Sequence, residues 1–443
     1  GGDTDMTRRF IEAFAAHIRE DGWVPWMILE TGHAVTYNAD PNSGEGHEYD
    51  SQGQFPFIVR QYLDYSGDET LARAMYPKVM AALRYADRLR GRRMTDAYRD
   101  DPDKRAYYGI LPHSNSHEGY YPARHSYWDS FWLLRGLKDA IVLAERFGDD
   151  ADVAWLRAFE LSYREHLYAS ISMVIDQAEL TAIPGCVELA DFDPTSTTMA
   201  IMIADERDHL PRPYGTNTFS IYWDELSVRI HDPGAAKLYT PYEVRNADVF
   251  VRLGWRERAL EALRYFIRDG VRPHAWNHWG EVVHTSWQTP AYIGDMPHTW
   301  VGADYVNAVW SLFAYENNDK LVLAAGVDPA WLTEGVIVDG LPTQYGQIDY
   351  EIRLVDAIVK MVVTGDARPP AGFELHLPMP DGASGFMLNG EMIDASATTI
   401  HFASLRELGS LNRRDANLTL ADPGVLDWLK LVQDTSTPEG QLL

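Results

Sequence analysis

Apolar residues recur at helical spacing through the first three quarters of the chain. Ile11, Phe14, Ala15 and Ile18 share one face of a predicted helix, and Phe57, Ile58, Tyr62 and Tyr65 share another. Leu71, Met75, Val79, Leu83 and Tyr85 form a third amphipathic series after the turn Ser66-Gly67-Asp68. Phe131, Leu134, Leu137, Ile141 and Ala144 predict a long helix that stops near Gly148, and residues 155–167 follow as its partner. Further helices are predicted over 195–203, 244–253, 259–267 and 300–315. After Asn318 the period changes. LVLAAGV, GVIVDGLPT, GQIDYEIRLV, AIVKMVVTG, GFELHLPMP and GFMLNGEMI are short β-branched segments separated by Gly, Pro, Asn and Asp, and they read as strands of a sandwich.

The predicted helices are of two kinds. Six begin after long aromatic and polar segments, near Asp3, Ser51, Tyr127, Thr195, Pro241 and Thr299. Others follow short turns and carry charged outer faces, near Glu69, Asp150, Arg256 and Phe219. Six inner helices alternating with outer ones make an (α/α)₆ toroid, whose long loops gather at one end. Loops of that length in a compact domain are usually functional. The expected organisation is therefore a mainly α six-hairpin toroid over 1–317 and a small C-terminal β-sandwich region over 318–443. The chain opens GGDTDMTRRF, which suggests a start inside a longer protein.

Composition narrows the function classes. The 443 residues carry 39 basic and 65 acidic side chains, a net charge of −26. Such a chain repels phosphate backbones, so nucleic acid is not an expected partner, while a neutral oligo- or polysaccharide is compatible. No apolar run approaches the roughly 18 residues that span a bilayer, so no membrane partner is expected. Cys186 is the only cysteine, which excludes an intrachain disulfide, a cysteine zinc cluster and a CxxC pair. His113, His117, His125, His274, His278, His284 and His298 fall in no HxH or HExxH frame, and no metal or other cofactor is expected. There is no GxSxG, GxxxxGK[ST] or strand-borne GxGxxG motif.

The loops before the inner helices hold the candidate chemistry: GEGHEYDSQGQF, HSNSHEGYYPARHSYWDSFW, LADFDPTSTT, KLYTPYEVRN and HAWNHWGEVVHTSWQTPAYIGDMPHTW. Aromatic faces stack on the C–H faces of sugar rings, carboxylates and amides bind hydroxyls, and a carboxylic acid pair performs the acid–base step. Glu281, among Trp276, His278 and Trp279, is the first catalytic candidate, because flanking rings desolvate a carboxylate and raise its pKa. Asp50 precedes Gln52 and Gln54 at a helix start, where it also reads as a plain N-cap. Asp129 lies early in a strongly apolar helix, where an unpaired carboxylate is costly. Glu118, Asp191, Asp193 and Glu243 are weaker candidates, and Glu243 is the best placed of them.

Several of these segments resemble bacterial α-L-rhamnosidases. Gly2-Asp3 through Asp21-Gly22-Trp23-Val24-Pro25 is similar to that family's inner helix with its DGxVP-like turn. Tyr49-Asp50-Ser51-Gln52-Gly53-Gln54-Phe55-Pro56-Phe57, then Gly67-Asp68 and Tyr76-Pro77, is similar to the next inner–outer pair. Trp279-Gly280-Glu281 sits where the family has a Trp-Glu pair carrying its proposed general base, and Pro297-His298-Thr299-Trp300 where an Asn-His opens the last inner helix. A β domain with an Asn389-Gly390 turn follows in both. Tyr127-Trp128-Asp129-Ser130 is closer to the YWDS signature of trehalases, also (α/α)₆ enzymes. The resemblance implies an inverting, exo-acting glycosidase with Glu281 as base, and it places the family's general acid upstream of Gly2-Asp3. Within this chain Asp50 or Asp129 is the expected acid. Asp3, Gln52, Gln54, His125, Tyr127, Trp128, Glu243, Trp279, His298 and Trp300 are the expected sugar contacts. A lyase or phosphorylase of the same fold, and a non-catalytic glycan-binding barrel, are the alternatives.

Overall fold

In the computed structural model, residues 4–35, 47–116, 120–232, 238–267, 283–284, 298–393 and 399–405 are described. The chain falls into two compact units, residues 1–225 and 226–443. About 52% of the described residues are helical, and two small mixed sheets lie toward the C-terminal end.

The first unit is built from α1 (Thr4–His17), α2 (Ser51–Ser66), α3 (Glu69–Gly91), the short α4 (Asp96–Arg99), α5 (Tyr127–Phe147), α6 (Asp150–Ala178) and α7 (Pro194–Met202). Helix α8 (Tyr214–His231) runs from the first unit into the second. The helix boundaries follow local chemistry. Gly67, in the left-handed region at φ 69°, closes α2 by donating its N–H to Leu63 O, and Asp68 caps α3 by accepting from the Thr70 and Leu71 amides. Asp149 and Asp193 cap α6 and α7 in the same way.

Two glycines position the site. A Cβ at Gly53 would stand 2.0 Å from the Trp132 carbonyl oxygen, and one at Gly136 would stand 2.6 Å from Gly53 Cα. Helices α2 and α5 therefore cross backbone to backbone, an approach open only to glycine. That crossing brings the first turns of the two helices together, and with them Asp50, Trp128 and Asp129.

In the second unit a 3₁₀ turn over Pro241–Val244 leads into α9 (Arg245–Arg252), followed by α10 (Arg256–Ile267) and α11 (Thr299–Ser311). Strands β1 (Leu238–Tyr239) and β2 (Val283–His284) pair antiparallel. The β region comprises β3 (Ala314–Asn317), β4 (Lys320–Leu323), β5 (Val336–Thr343), β6 (Gly346–Val355), β7 (Ile358–Gly365), β8 (Phe373–His376), β9 (Gly385–Leu388), β10 (Glu391–Ile393) and β11 (Thr399–Phe402). One sheet has the order β10-β9-β7-β6-β5 and the other β11-β8-β4-β3. The pairs β7–β9 and β4–β8 are parallel and the rest antiparallel. Alternate residues of each sheet, such as Leu321 and Leu375 of one and Ile348, Tyr350 and Met361 of the other, enter one buried cluster. The Asn389-Gly390 dipeptide, with φ of 49° and 91°, makes the tight β9–β10 hairpin that such a pair favours.

Some boundaries differ from the sequence reading: α6 runs on to Ala178, past the expected 167, and α8 begins at Tyr214, before Phe219. The helix expected to run to Tyr315 ends at Ser311, and residues 314–317 instead pair with 320–323 across Asn318-Asp319. Both turn residues have positive φ, at 47° and 67°, and the hairpin they close competes successfully with an apolar run that looks helical. Among the described residues no helix is long and apolar enough to cross a membrane.

Candidate active site

In the first unit, the loops before α2, α5 and α7 converge. Asp50 flanks α2, but its side chain makes no capping bond to that helix. Its Oδ2 accepts instead from the Trp128 indole N–H at 2.9 Å and from Gln54 Nε2 at 2.9 Å. Asp129, in the first turn of α5, accepts from Ser114 Oγ at 2.6 Å. Asp50 is 5% exposed and Asp129 wholly buried. Burial, followed by the neighbouring Asp50 carboxylate, pushes the Asp129 carboxyl well above the usual carboxylate range, and the Ser114 hydrogen bond offsets this only in part. Two buried carboxyl groups that repel one another when ionised favour keeping a proton on one of them.

Beside this pair lies a second network, in which Arg93 and His125 are buried and Glu188 is exposed. His125 Nδ1 bonds Glu188 Oε1 at 2.6 Å, and the His125 backbone N–H donates to Glu188 Oε2 at 2.9 Å. Arg93 donates from Nε to His125 Nε2 at 3.0 Å and from Nη2 toward His113 Nδ1 at 3.0 Å. The tautomer of His125 follows. A guanidinium only donates, so Nε2 is the acceptor and Nδ1 carries the hydrogen offered to Glu188. Burial lowers the His125 pKa to about 4 against the opposing pull of Glu188. The Glu188 carboxyl is held below its usual range: its hydrogen bond and charge contact with His125 outweigh burial, the largest single influence, which raises it. The Tyr107 ring packs on His125 with centroids 4.4 Å apart.

Other expected contacts of the first unit have packing roles. Trp128 is 0% exposed and edge-packed on Trp132 at 6.2 Å, so it presents no face on which a sugar stacks. Tyr127 is also fully buried, with its hydroxyl 2.9 Å from Ser170 Oγ. The Gln52 amide, oriented so that Oε1 accepts from Val24 N–H at 2.8 Å, donates Nε2 to the Gly22 and Ala82 carbonyls at 3.2 Å each. It locks the loop before α2 and is not brought to the carboxylate pair. The common physical reason is that a helix start with large aromatic and amide side chains serves equally well as the keystone of a helix crossing.

The second unit holds a different arrangement at the starts of α9 and α11. The Tyr242 hydroxyl lies 2.9 Å from His298 Nε2, and its ring meets the His298 and Trp300 rings edge-on at 5.3 and 5.7 Å. His298 and Trp300 are half-buried, whereas Tyr242 is buried. Arg245 is 1% exposed, donates from Nε to Asp304 Oδ2 at 2.6 Å and lies over the Tyr242 and Trp300 rings at 4.4 and 5.1 Å. Glu243 forms an ion pair with Arg229. Asp3, Trp279 and Glu281, with the weaker candidate Glu118, lie outside the described residues.

Sequence reasoning missed Ser114, Arg93, Glu188, Arg245 and Asp304. Asp304 had a readable signal, since it is a charge in the otherwise apolar start of α11, the same clue that drew attention to Asp129, whereas Arg245 opens the polar run RNAD. Arg93 sits in the run RLRGRRM and reads as surface charge.

With the geometry in place, the chain can be set against known proteins. No sequence-family profile matches it, and no curated protein sequence does. Solved structures do. A GH78 family rhamnosidase of Bacillus sp. GL1 is similar over 87% of this chain with TM-score 0.52 at 15% identity. An alpha-L-rhamnosidase from Dictyoglumus thermophilum is similar over 84% of this chain with TM-score 0.49 at 13% identity, covering 39% of that chain. A rhamnosidase from Klebsiella oxytoca with rhamnose bound is similar over 70% of this chain with TM-score 0.43 at 18% identity, covering 55% of that chain. The chain spans 38% of the length of the Bacillus protein. At these identities the likeness to that protein is one of fold.

Proposed function

We propose that the chain is the helical core and following β region of a glycoside hydrolase, an inverting and exo-acting enzyme that releases a terminal sugar, rhamnose-like, from a plant or microbial glycan. The supporting observation is a fold similar to a rhamnosidase over 87% of the chain. The (α/α)₆ arrangement over 1–317, with the β region over 318–443, belongs to the same reading. Glu281 activates water on one face of the anomeric carbon, and a second carboxylic acid protonates the leaving oxygen. Within this chain Asp50 is the better placed acid, because Asp129 is completely enclosed. Asp129 then acts behind it, as the group that keeps a proton on the pair. Asp3, Gln54, Glu243, Trp279, His298 and Trp300 are the sugar contacts of this reading, and Gln54, His298 and Trp300 are half-buried. Tyr127, Trp128, Gln52 and His125 hold the frame.

The near-complete burial of Asp50 and Asp129 favours one second reading, a glycan-binding domain without turnover. One experiment separates the two. The full chain is assayed on p-nitrophenyl glycosides, with p-nitrophenyl α-L-rhamnopyranoside first, and L-rhamnose binding is followed by calorimetry. The hydrolase reading expects release of p-nitrophenol, lost by about 10²–10⁴-fold in kcat in Glu281→Gln with KM retained. Proton NMR of the first anomer released should show inversion. Binding without turnover establishes the second reading, and neither binding nor turnover across the panel removes both.

A further inference from the structure

We propose that Arg245 is a positioning residue. Pinned by Asp304, it sets the plane of the Trp300 ring and, through Tyr242, the orientation of His298. The inference rests, for its functional meaning, on the reading above that Trp300 and His298 contact sugar.

The argument begins with helix spacing. Tyr242 and Arg245 are three residues apart at the entry to α9, and Trp300 and Asp304 are four apart on α11, so each pair shares a face. Arg245 bridges the two faces. Its Nε reaches Asp304 Oδ2 at 2.6 Å, and its guanidinium lies 4.4 Å from the Tyr242 ring centre and 5.1 Å from that of Trp300. The guanidinium is planar and always charged, so it stacks on a ring and keeps a carboxylate at its edge, which a lysine ammonium cannot do together.

Burial makes the arrangement directional. Arg245 is 1% exposed, Asp304 6% and Tyr242 3%, while Trp300 and His298 are half-buried. The enclosed ion pair is thus the fixed end, and the two half-exposed rings are the end a ligand reaches. The ion pair alone is weak support for stability, because a well-packed apolar pair often does as well. What an apolar replacement does not supply is a charge that favours one ring orientation over its neighbours. The Tyr242 hydroxyl, 2.9 Å from His298 Nε2, passes the same constraint to the imidazole. Binding by a ring already held in place avoids the ordering cost that a free ring incurs.

The test uses the full chain labelled with 5-fluorotryptophan, with Trp300→Phe assigning the Trp300 fluorine resonance. Arg245→Met with Asp304→Asn removes both charges together and leaves neither buried alone. The double variant is expected to shift or broaden the Trp300 resonance and leave the other tryptophans in place. Affinity for L-rhamnose should weaken roughly tenfold, in line with a desolvated cation–π contact, and KM should rise for p-nitrophenyl α-L-rhamnopyranoside with kcat little changed. Arg245→Lys, which keeps the ion pair, should keep Tm and still fail to restore the affinity or the resonance, and it carries the test if the double variant does not fold. An unmoved Trp300 resonance with unchanged affinity in the folded variants overturns the proposal. Trp300→Ala supplies the independent control. If it leaves rhamnose binding intact while the double variant still moves the resonance, Arg245 does position Trp300 and the sugar reading of this corner is what fails.

Discussion

The helix starts of the two units carry the same kind of sequence and fold to opposite ends. Around Asp50 and Trp128, carboxylate and indole turn inward and satisfy one another, leaving almost no surface of their own. Around His298 and Trp300, the buried partners Tyr242, Arg245 and Asp304 stand behind rings that remain half-exposed. The difference lies in what the neighbouring helix presents. In the first unit Gly53 and Gly136 let α2 and α5 approach to backbone contact, and large side chains at the crossing are sealed in. In the second, an arginine occupies the junction and props the rings outward.

The largest expected effect breaks this comparison directly. Trp128→Ala should cost about 3–5 kcal/mol of stability, as for a buried ring replaced by a cavity, and it also removes the donor to Asp50. Trp300→Ala should leave Tm nearly unchanged and weaken sugar binding by about 1–3 kcal/mol, by analogy with other stacking platforms. Thermal melts and rhamnose calorimetry on both variants check it. A small Tm loss for Trp128→Ala with weakened binding would return Trp128 to the role of a sugar platform.

A smaller effect concerns pH. His125 is neutral in the folded state, with its pKa lowered from 6.5 to about 4 by burial. The unfolded chain therefore binds more protons as the pH falls below 6.5. The stabilising contribution is complete above that value and lost progressively down to about 4, with a ceiling of about 3 kcal/mol. Glu188, whose carboxyl is depressed, adds a loss of the same sign below its ordinary range. Denaturant melts from pH 7.5 to 4 should show stability falling with acid, and His125→Asn should flatten the upper part of that fall. Parallel curves for the two proteins would mean that the Arg93–His125–Glu188 network does not titrate as a unit.

What the sequence disclosed follows from how local each feature is. The turn at Asn389-Gly390, the turn Ser66-Gly67-Asp68 before α3 and the β-branched segments of β6 and β7 depend on neighbours in the chain, and they were readable. Whether Trp128 packs or binds depends on Gly136 meeting Gly53, residues 83 positions apart. The partnership of Arg93 with His125 spans α4, a 3₁₀ turn and the loop before α5, and no periodicity reports it. The β3 strand was hidden because Phe313-Ala314-Tyr315 prolongs an apolar helical run, and only its pairing with β4 distinguishes it. For the site, residue types at helix starts were legible and their direction was not.

The smallest effect separates a carboxylate held neutral from one that anchors two helix starts. The folded Asp129 carboxyl lies above its ordinary value because burial and Asp50 penalise its ionised form. The folded state therefore binds this proton more tightly than the unfolded chain. Its contribution is most favourable below the ordinary carboxylate pKa and is lost as pH rises through the elevated folded value. At pH 8 the wild type carries a buried charge, whereas Asp129→Asn is neutral and still offers an oxygen to the Ser114 hydroxyl. The variant should be more stable at pH 8 by on the order of 1 kcal/mol, a rise in Tm of roughly 2–4 °C for a unit of this size. At pH 4 the advantage should vanish, because both side chains are then uncharged. The opposite outcome, a clear fall in Tm at pH 8, would mean that an ionised Asp129 stabilises the positive ends of α2 and α5, and that the proton assigned to the Asp50–Asp129 pair is not there to be given.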